Sequence, residues 1–177
     1  YFKEAVSRDE NAVYVSSVEL NREEGKISDP PTPVIRVGIP VFDRAGKKRG
    51  VLVINRNAQK MLDLGADPSL GESAIYILNE KGQFLRHPDA AFNFGFEYGK
   101  TDTIEDIFAG FLSRVDKTPN ENHTSTFTQI ADQYVQWQDI PLDKTKNFQN
   151  FVRIVLATPS SVISQETVQL RYGMIQI

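Results

Sequence analysis

Cysteine is absent from all 177 residues. This excludes thiolate nucleophiles, disulfides and thiolate-held metals, and it is compatible with export without showing it. Histidine is scarce: His87 and His123 lie far apart and make no metal-ligand spacing, so no zinc site is expected. Strong charge is missing as well, with a net value of −3. The only basic run, Lys47 to Arg49, sits at a turn where a solvated tip is the ordinary reading, and nucleic acid is not expected as a partner. No Gly-x-Ser-x-Gly elbow and no phosphate-binding glycine loop occur. Acidic pairs such as Glu105-Asp106 fall on the polar side of a predicted helix, where carboxylates are usually solvated. Neither catalysis nor a cofactor is therefore expected. A long apolar run is lacking too: after Arg171 the tail holds only the six residues Tyr172 to Ile177, against about twenty for a membrane span. That tail fits either the first turn of a membrane helix or the end of a packed one. The opening, Tyr1 to Glu4, has neither Met nor a signal peptide and reads as a piece of a longer protein.

What is present suits a folded chain: 40% hydrophobic and 24% charged residues. Two β-hairpin signatures of one design stand out. The first runs from Pro33 to Phe42, turns at Asp43 to Gly46, and returns from Gly50 to Asn55. The second runs from Ser73 to Leu78, turns at Asn79 to Gly82, and returns from Gln83 to Pro88. Each turn has Asp or Asn first, to bond the turn backbone, and Gly last, for a conformation costly to other residues.

Around them, Tyr1 to Ser7 suits a helix end and Ala12 to Leu20 a strand. Asn21 to Pro33, rich in proline, suits a loop. The nearly continuous apolar strands of the first hairpin predict burial on both faces. Asn57 to Leu64 reads as a short helix and Asp67 to Gly71 as a linker, which places a domain boundary between 1–66 and 67–177. His87 to Lys100 is aromatic but irregular; His87 is expected to pin a strand end. Phe92, Phe94, Phe96 and Tyr98 either pack in a core, the stronger default, or line a pocket. Thr103 to Val115 predicts one amphipathic helix capped by Thr103 and Asp106. Strands follow over Thr124 to Ala131, Gln133 to Ile140 and Asn150 to Thr158, then a helix capped by Ser160 or Ser161.

The second region thus reads strand, strand, helix and three strands, the order of a PAS-like domain with one five-stranded antiparallel sheet. The first reads as the back half of the same plan, leaving a sheet edge and an apolar face uncovered. The fold class expected is α+β, two PAS-like domains with the first truncated at its N-terminus.

Val13 to Asn21, Pro33 to Asp43, Gly50 to Asn55 and Ser73 to Pro88 together resemble a double Cache sensor, membrane-distal half first. The resemblance implies the periplasmic or extracellular ligand-sensing region of a bacterial transmembrane receptor, such as a histidine kinase, a diguanylate cyclase or a chemoreceptor. It also implies a homodimeric parent anchored by flanking membrane helices, and it favours the membrane-helix reading of the tail. Amino-acid-binding members carry acids where Ser16 and Asn55 stand here, which disfavours an α-amino acid ligand. The expected lining of the distal pocket is Tyr14, Ser16, Arg36 and Asn55, around a small polar or anionic molecule. Arg36, alone among apolar neighbours, either meets an acid such as Glu19 or binds an anionic ligand. Its place on the inner sheet face, which lines the pocket in this family, favours the ligand, but a structural ion pair or an exposed position is the commoner outcome. Alternatives are a spacer or dimerisation module that binds nothing, or a cytoplasmic PAS-type module.

Overall fold

Both predicted hairpins form, and their turns are built alike. In the computed structural model, which describes residues 2–9, 12–63, 71–115, 126–142 and 150–163, Asp43 Oδ1 accepts the N–H groups of Ala45 (3.0 Å) and Lys47 (2.9 Å). Asn79 Oδ1 accepts those of Lys81 and Gln83, both at 3.0 Å. Gly46 and Gly82 take the left-handed conformation, at φ 76° and 77°. The same local chemistry therefore closes β5 (Pro33–Phe42) on β6 (Lys48–Asn57) and β7 (Ala74–Leu78) on β8 (Phe84–Arg86).

The first sheet centres on β5, with β6 on one side and two short strands, β1 (Tyr14–Val15) and β2 (Glu19–Leu20), on the other. The single strand expected over Ala12 to Leu20 is thus divided. Val15 pairs with Val37 and Glu19 with Val34, so three residues of the outer strand face two of β5. That surplus residue is a β-bulge, and it falls at Ser16 to Val18. The expected loop before Pro33 also holds a small hairpin, β3 (Arg22–Glu23) with β4 (Lys26–Ile27). Its turn needs positive φ at both Glu24 (51°) and Gly25 (80°), and a Glu in that place gave no local signal.

Helix α1 (Phe2–Ser7) packs on the face of β5 that carries Gly38, where Ala5 is fully buried. The opposite face is open. Ile39, Val41, Leu52 (56% exposed) and Ile54 (57% exposed) form an apolar surface there. Burial of these strands on both faces is therefore not observed, because no described element lies over that side. Short α2 (Gln59–Leu62) follows β6, with Asn57 Oδ1 accepting the Gln59 N–H at 2.8 Å.

The second sheet has the order β8-β7-β11-β10-β9, all antiparallel, with β9 (Thr126–Ile130), β10 (Gln133–Pro141) and β11 (Phe151–Pro159). This is the PAS-like order, and the α+β class is as expected. The helix predicted over Thr103 to Val115 is interrupted. A 3-10 turn at Ile104–Asp106 gives way to α3 (Phe111–Arg114) across Gly110, which is left-handed at φ 77°. Ile104, Phe108 and Phe111 still reach the core, whereas Ile107 is exposed. Glu105 and Asp106 are not simply solvated. Glu105 accepts the Gly110 N–H (2.7 Å) and the Leu112 N–H, and Asp106 accepts the Thr103 N–H (2.7 Å). Both carboxylates serve orphan helix-end donors.

Two clusters make up the core. One lies within the second sheet's layer, around Tyr76, Phe84, Phe111, Val135, Trp137 and Val155. The other joins the halves: Val18, Leu20, Ala58 and Leu62 from the first meet Ile77, Leu85, Phe94 and Val152 from the second. Polar contacts seal the junction. Ser17 Oγ lies 3.0 Å from Glu80 Oε1, and Glu97 accepts both the Leu20 N–H (3.1 Å) and the Arg22 guanidinium (2.8 Å). Of the predicted linker Asp67 to Gly71, all but Gly71 lies outside the described residues, as do 116–125, 143–149 and the tail from 164 onward. Residues 160–163 are helical, and the Ser160 N–H donates to Asp132 O at 2.8 Å.

Candidate functional site

Antiparallel pairing puts opposed residues on one face of a sheet. Tyr14 opposes Gly38, and Arg36 opposes Asn55, so Tyr14, Arg36 and Asn55 share the face on which α1 lies. Their surroundings differ. Tyr14 and Arg36 are buried, while Asn55, on the outer strand β6, is exposed. Asn55 therefore does not join a pocket with the other three.

Ser16 is buried at the bulge, and its hydroxyl is engaged by the backbone. It accepts the Arg36 N–H at 2.9 Å, where a ladder carbonyl would otherwise stand, and donates to Ser17 O at 2.7 Å. Arg36 meets Glu19, the acid that the sequence offered; its side chain is 7% exposed and that of Glu19 38%. A guanidinium so buried needs such a partner.

Tyr14 borders an open cavity of about 450 Å³ that also takes in Glu4, Ser7, Arg8 and Asp9 from the α1 end and Asn150 from the second half. Burial, followed by a hydrogen bond from its hydroxyl to Glu4 and the charge of that carboxylate, pushes the Tyr14 phenol well above its ordinary range. The Arg8 guanidinium lies 6.0 Å from the Tyr14 ring centre. Asn150 anchors the far wall by donating to Val15 O at 2.6 Å. Of the four sequence-derived residues only Tyr14 lines this space. The others that do were missed, because α1 was read as a helix end and Asn150 as a strand start. The polar run Glu4, Ser7, Arg8, Asp9 was the one available signal.

His87 does hold a strand end. Its Nδ1 accepts the Asp89 N–H at 2.9 Å, and its ring packs 4.7–5.2 Å from those of Tyr76, Phe84 and Phe92. Phe94 is core, as the default reading had it, and Phe94 and exposed Tyr98 also line a cleft between the two sheets, as the alternative reading had it. Among the described residues no group of three or more His, Cys, Asp or Glu side chains is placed to hold a metal ion.

Comparison with known proteins decides the family. The sequence model of the bacterial histidine kinase sensor domain matches residues 1–104, more than half of the chain. The chain belongs to that family.

Solved structures of similar fold agree with this sensor domain's architecture. The extracellular domain of vpHK1S-Z8 superposes with a TM-score of 0.58 at 18% identity, over 94% of this chain and 57% of that one. The periplasmic sensory domain of the Campylobacter jejuni chemoreceptor Tlp1 gives 0.58 at 16% identity, over 90% and 54%. The ligand-binding domain of the Pseudomonas aeruginosa PAO1 amino acid chemoreceptor PctC, in complex with GABA, gives 0.56 at 14% identity, over 89% and 59%. The chain thus spans between 54% and 59% of the length of these three structures. Among curated proteins none matches.

Proposed function

We propose that this sensor domain lies on the periplasmic or extracellular side of a bacterial membrane and binds a small polar molecule in the cavity over Tyr14. Residues 1–66 would be the C-terminal part of its membrane-distal half and 67–177 its membrane-proximal half. The parent receptor would be a homodimer held by flanking membrane helices.

The observation that carries the reading is the mixed charge around Tyr14. Glu4 and Asp9 offer carboxylates and Arg8 a guanidinium, with Asn150 as a neutral polar wall. Such a lining matches a molecule with a cationic group at one end and an oxyanion at the other. The fold relative PctC, solved with GABA, supports that class. Ser16 and Asn55 remain unsuited to hold a ligand ammonium, so the carboxylates of the α1 end take that role instead.

Ligand binding need only favour one packing of α1 on the sheet by a few kcal/mol to shift a two-state receptor. The shift would pass from the Tyr14 cavity through Asn150 to β11 and the helical residues 160–163.

The test is a thermal-shift screen with γ-aminobutyrate, serine, betaine and succinate, followed by titration calorimetry on any stabilising compound. A zwitterion should stabilise the wild type, and Arg8→Ala or Glu4→Gln should remove the effect with little loss of basal stability. If no compound stabilises the protein, the spacer or dimerisation reading takes its place.

A further inference from the structure

We propose that the cleft between the two sheets is a second ligand site, for a small anion held by Arg86 and Lys100. It is separate from the Tyr14 cavity. This cleft, about 450 Å³ and open to solvent, draws one wall from the first half (Leu20, Pro33, Leu62) and the other from the second (Leu85, Phe94). Its lining includes two cations, Arg86 and Lys100, and no carboxylate. Two nearby acids are committed elsewhere: Glu97 to the Leu20 N–H and Arg22, and Asp89 to the Ala91 N–H.

Arg86 is the central observation. Its Nε–H is buried and has no hydrogen-bond partner among the described residues. A buried donor left without an acceptor costs free energy, and because Arg86 lines the cleft a small shift of its side chain would offer the guanidinium edge, two parallel donors, to an oxyanion there. The donors nearby point to the same chemistry. Asn93 spends its Oδ1 on the His87 N–H (2.7 Å), so what it has left to offer is its amide N–H₂. Lys100 Nζ reaches Ala91 O at 3.0 Å, and its stem runs over Gly95, where a Cβ would stand 3.2 Å from Lys100 Cδ. Lys100 is thereby directed along the rim. Between these donors the two walls bring apolar side chains together, Leu20 and Leu62 from one and Leu85 and Phe94 from the other.

Oxyanion donors beside apolar walls select a small organic anion: a carboxylate with a short hydrocarbon body, or a phosphate monoester of similar size. Because its two walls belong to different halves, an occupant would bind only when the halves are docked as seen. It would therefore stabilise that arrangement by mass action.

The experiment is titration of the 177-residue chain with sodium butyrate, and separately with inorganic phosphate, at constant ionic strength. It is followed by NMR at the arginine Nε–H and asparagine side-chain resonances. A saturable shift of the Arg86 Nε–H with either anion is expected, and the anion that binds more tightly identifies the headgroup class. Arg86→Gln and Lys100→Ala should each weaken binding by about tenfold or more, whereas Arg8→Ala should not. Lys100 is exposed, so its variant tests the site even if Arg86→Gln fails to fold. If neither anion shifts the Arg86 resonance at millimolar concentration, or if binding survives Lys100→Ala undiminished, the proposal is overturned.

Discussion

Ala5 of α1 lies directly over Gly38 of β5, so close that a Cβ at position 38 would stand 2.8 Å from the Ala5 Cβ. The missing side chain is what lets the helix seat on the sheet and close the Tyr14 cavity beneath its end. Gly38→Ala should lift α1, at a cost of about 1–3 kcal/mol typical of overpacking. Adding Ala5→Gly should recover much of it. Urea denaturation of the single and double variants measures the coupling; strictly additive effects would show that α1 does not depend on this contact.

Asp139 and Arg153 face each other across β10 and β11, joined by two hydrogen bonds of 2.5 and 2.6 Å, each side chain only 4% exposed. Removing one partner strands the other charge in the core. Asp139→Ala should cost roughly 3–5 kcal/mol, while replacing both residues with apolar ones of similar volume should cost far less. Chemical denaturation distinguishes the two outcomes, and equal losses would contradict the assignment.

Asp43 should shape the acid limb of stability. Its carboxylate accepts the Lys47 N–H, bonds Arg49 at 2.7 Å and accepts the Ala45 N–H, and these bonds hold its pKa below the ordinary carboxylate value. The folded chain therefore binds this proton less readily than the unfolded chain. The contribution is complete above the unfolded pKa near 4 and is lost as pH falls through the lower, folded value. Asp43→Asn copies the turn residue Asn79 and should keep the hairpin at pH 7 while flattening this part of the profile. Thermal melts between pH 2 and pH 7 would show it, and an unchanged acid slope would refute it.

The apolar surface of Leu52 and Ile54 makes a different prediction. In the isolated chain, Leu52→Glu together with Ile54→Lys should shift stability by no more than about 1 kcal/mol, since neither side chain is buried. The same pair should reduce any self-association seen by light scattering. A large fall in melting temperature would mean that this face is covered in solution.

How far the sequence could be read depended on how local the deciding interactions are. The turns at Asp43 and Asn79 were legible because each is closed by its own side chain and a glycine three residues on. The strand order of the second sheet followed from the pattern of runs between such turns. The helix expected over Thr103 to Val115 has helical apolar spacing, yet Gly110 turns left-handed and Glu105 accepts the Gly110 and Leu112 N–H groups, which breaks it in two. The small hairpin at Glu24 and Gly25 lay hidden among prolines. For the site, Tyr14 was recognisable as a polar aromatic on a strand and Arg36 as a cation needing Glu19. Asn55, paired opposite Arg36, was placed correctly on its face, but nothing in a strand pattern reports that the outer strand carries no cover there.

The order of residues alone therefore determined the hairpins and the PAS-like succession of strands, since both rest on turn chemistry and periodicity within a few residues; the sensor family shows in the sequence as a likeness over residues 1–104. Only the tertiary structure decided where the cavities lie. The Tyr14 cavity needs Glu4 and Asn150 to meet across the chain, and the Arg86 cleft needs Leu20 and Leu62 opposite Leu85. Those juxtapositions follow from burying Val18, Leu20, Ala58 and Leu62 against the second sheet. That packing energy is shared among residues far apart in sequence, and no local pattern encodes it.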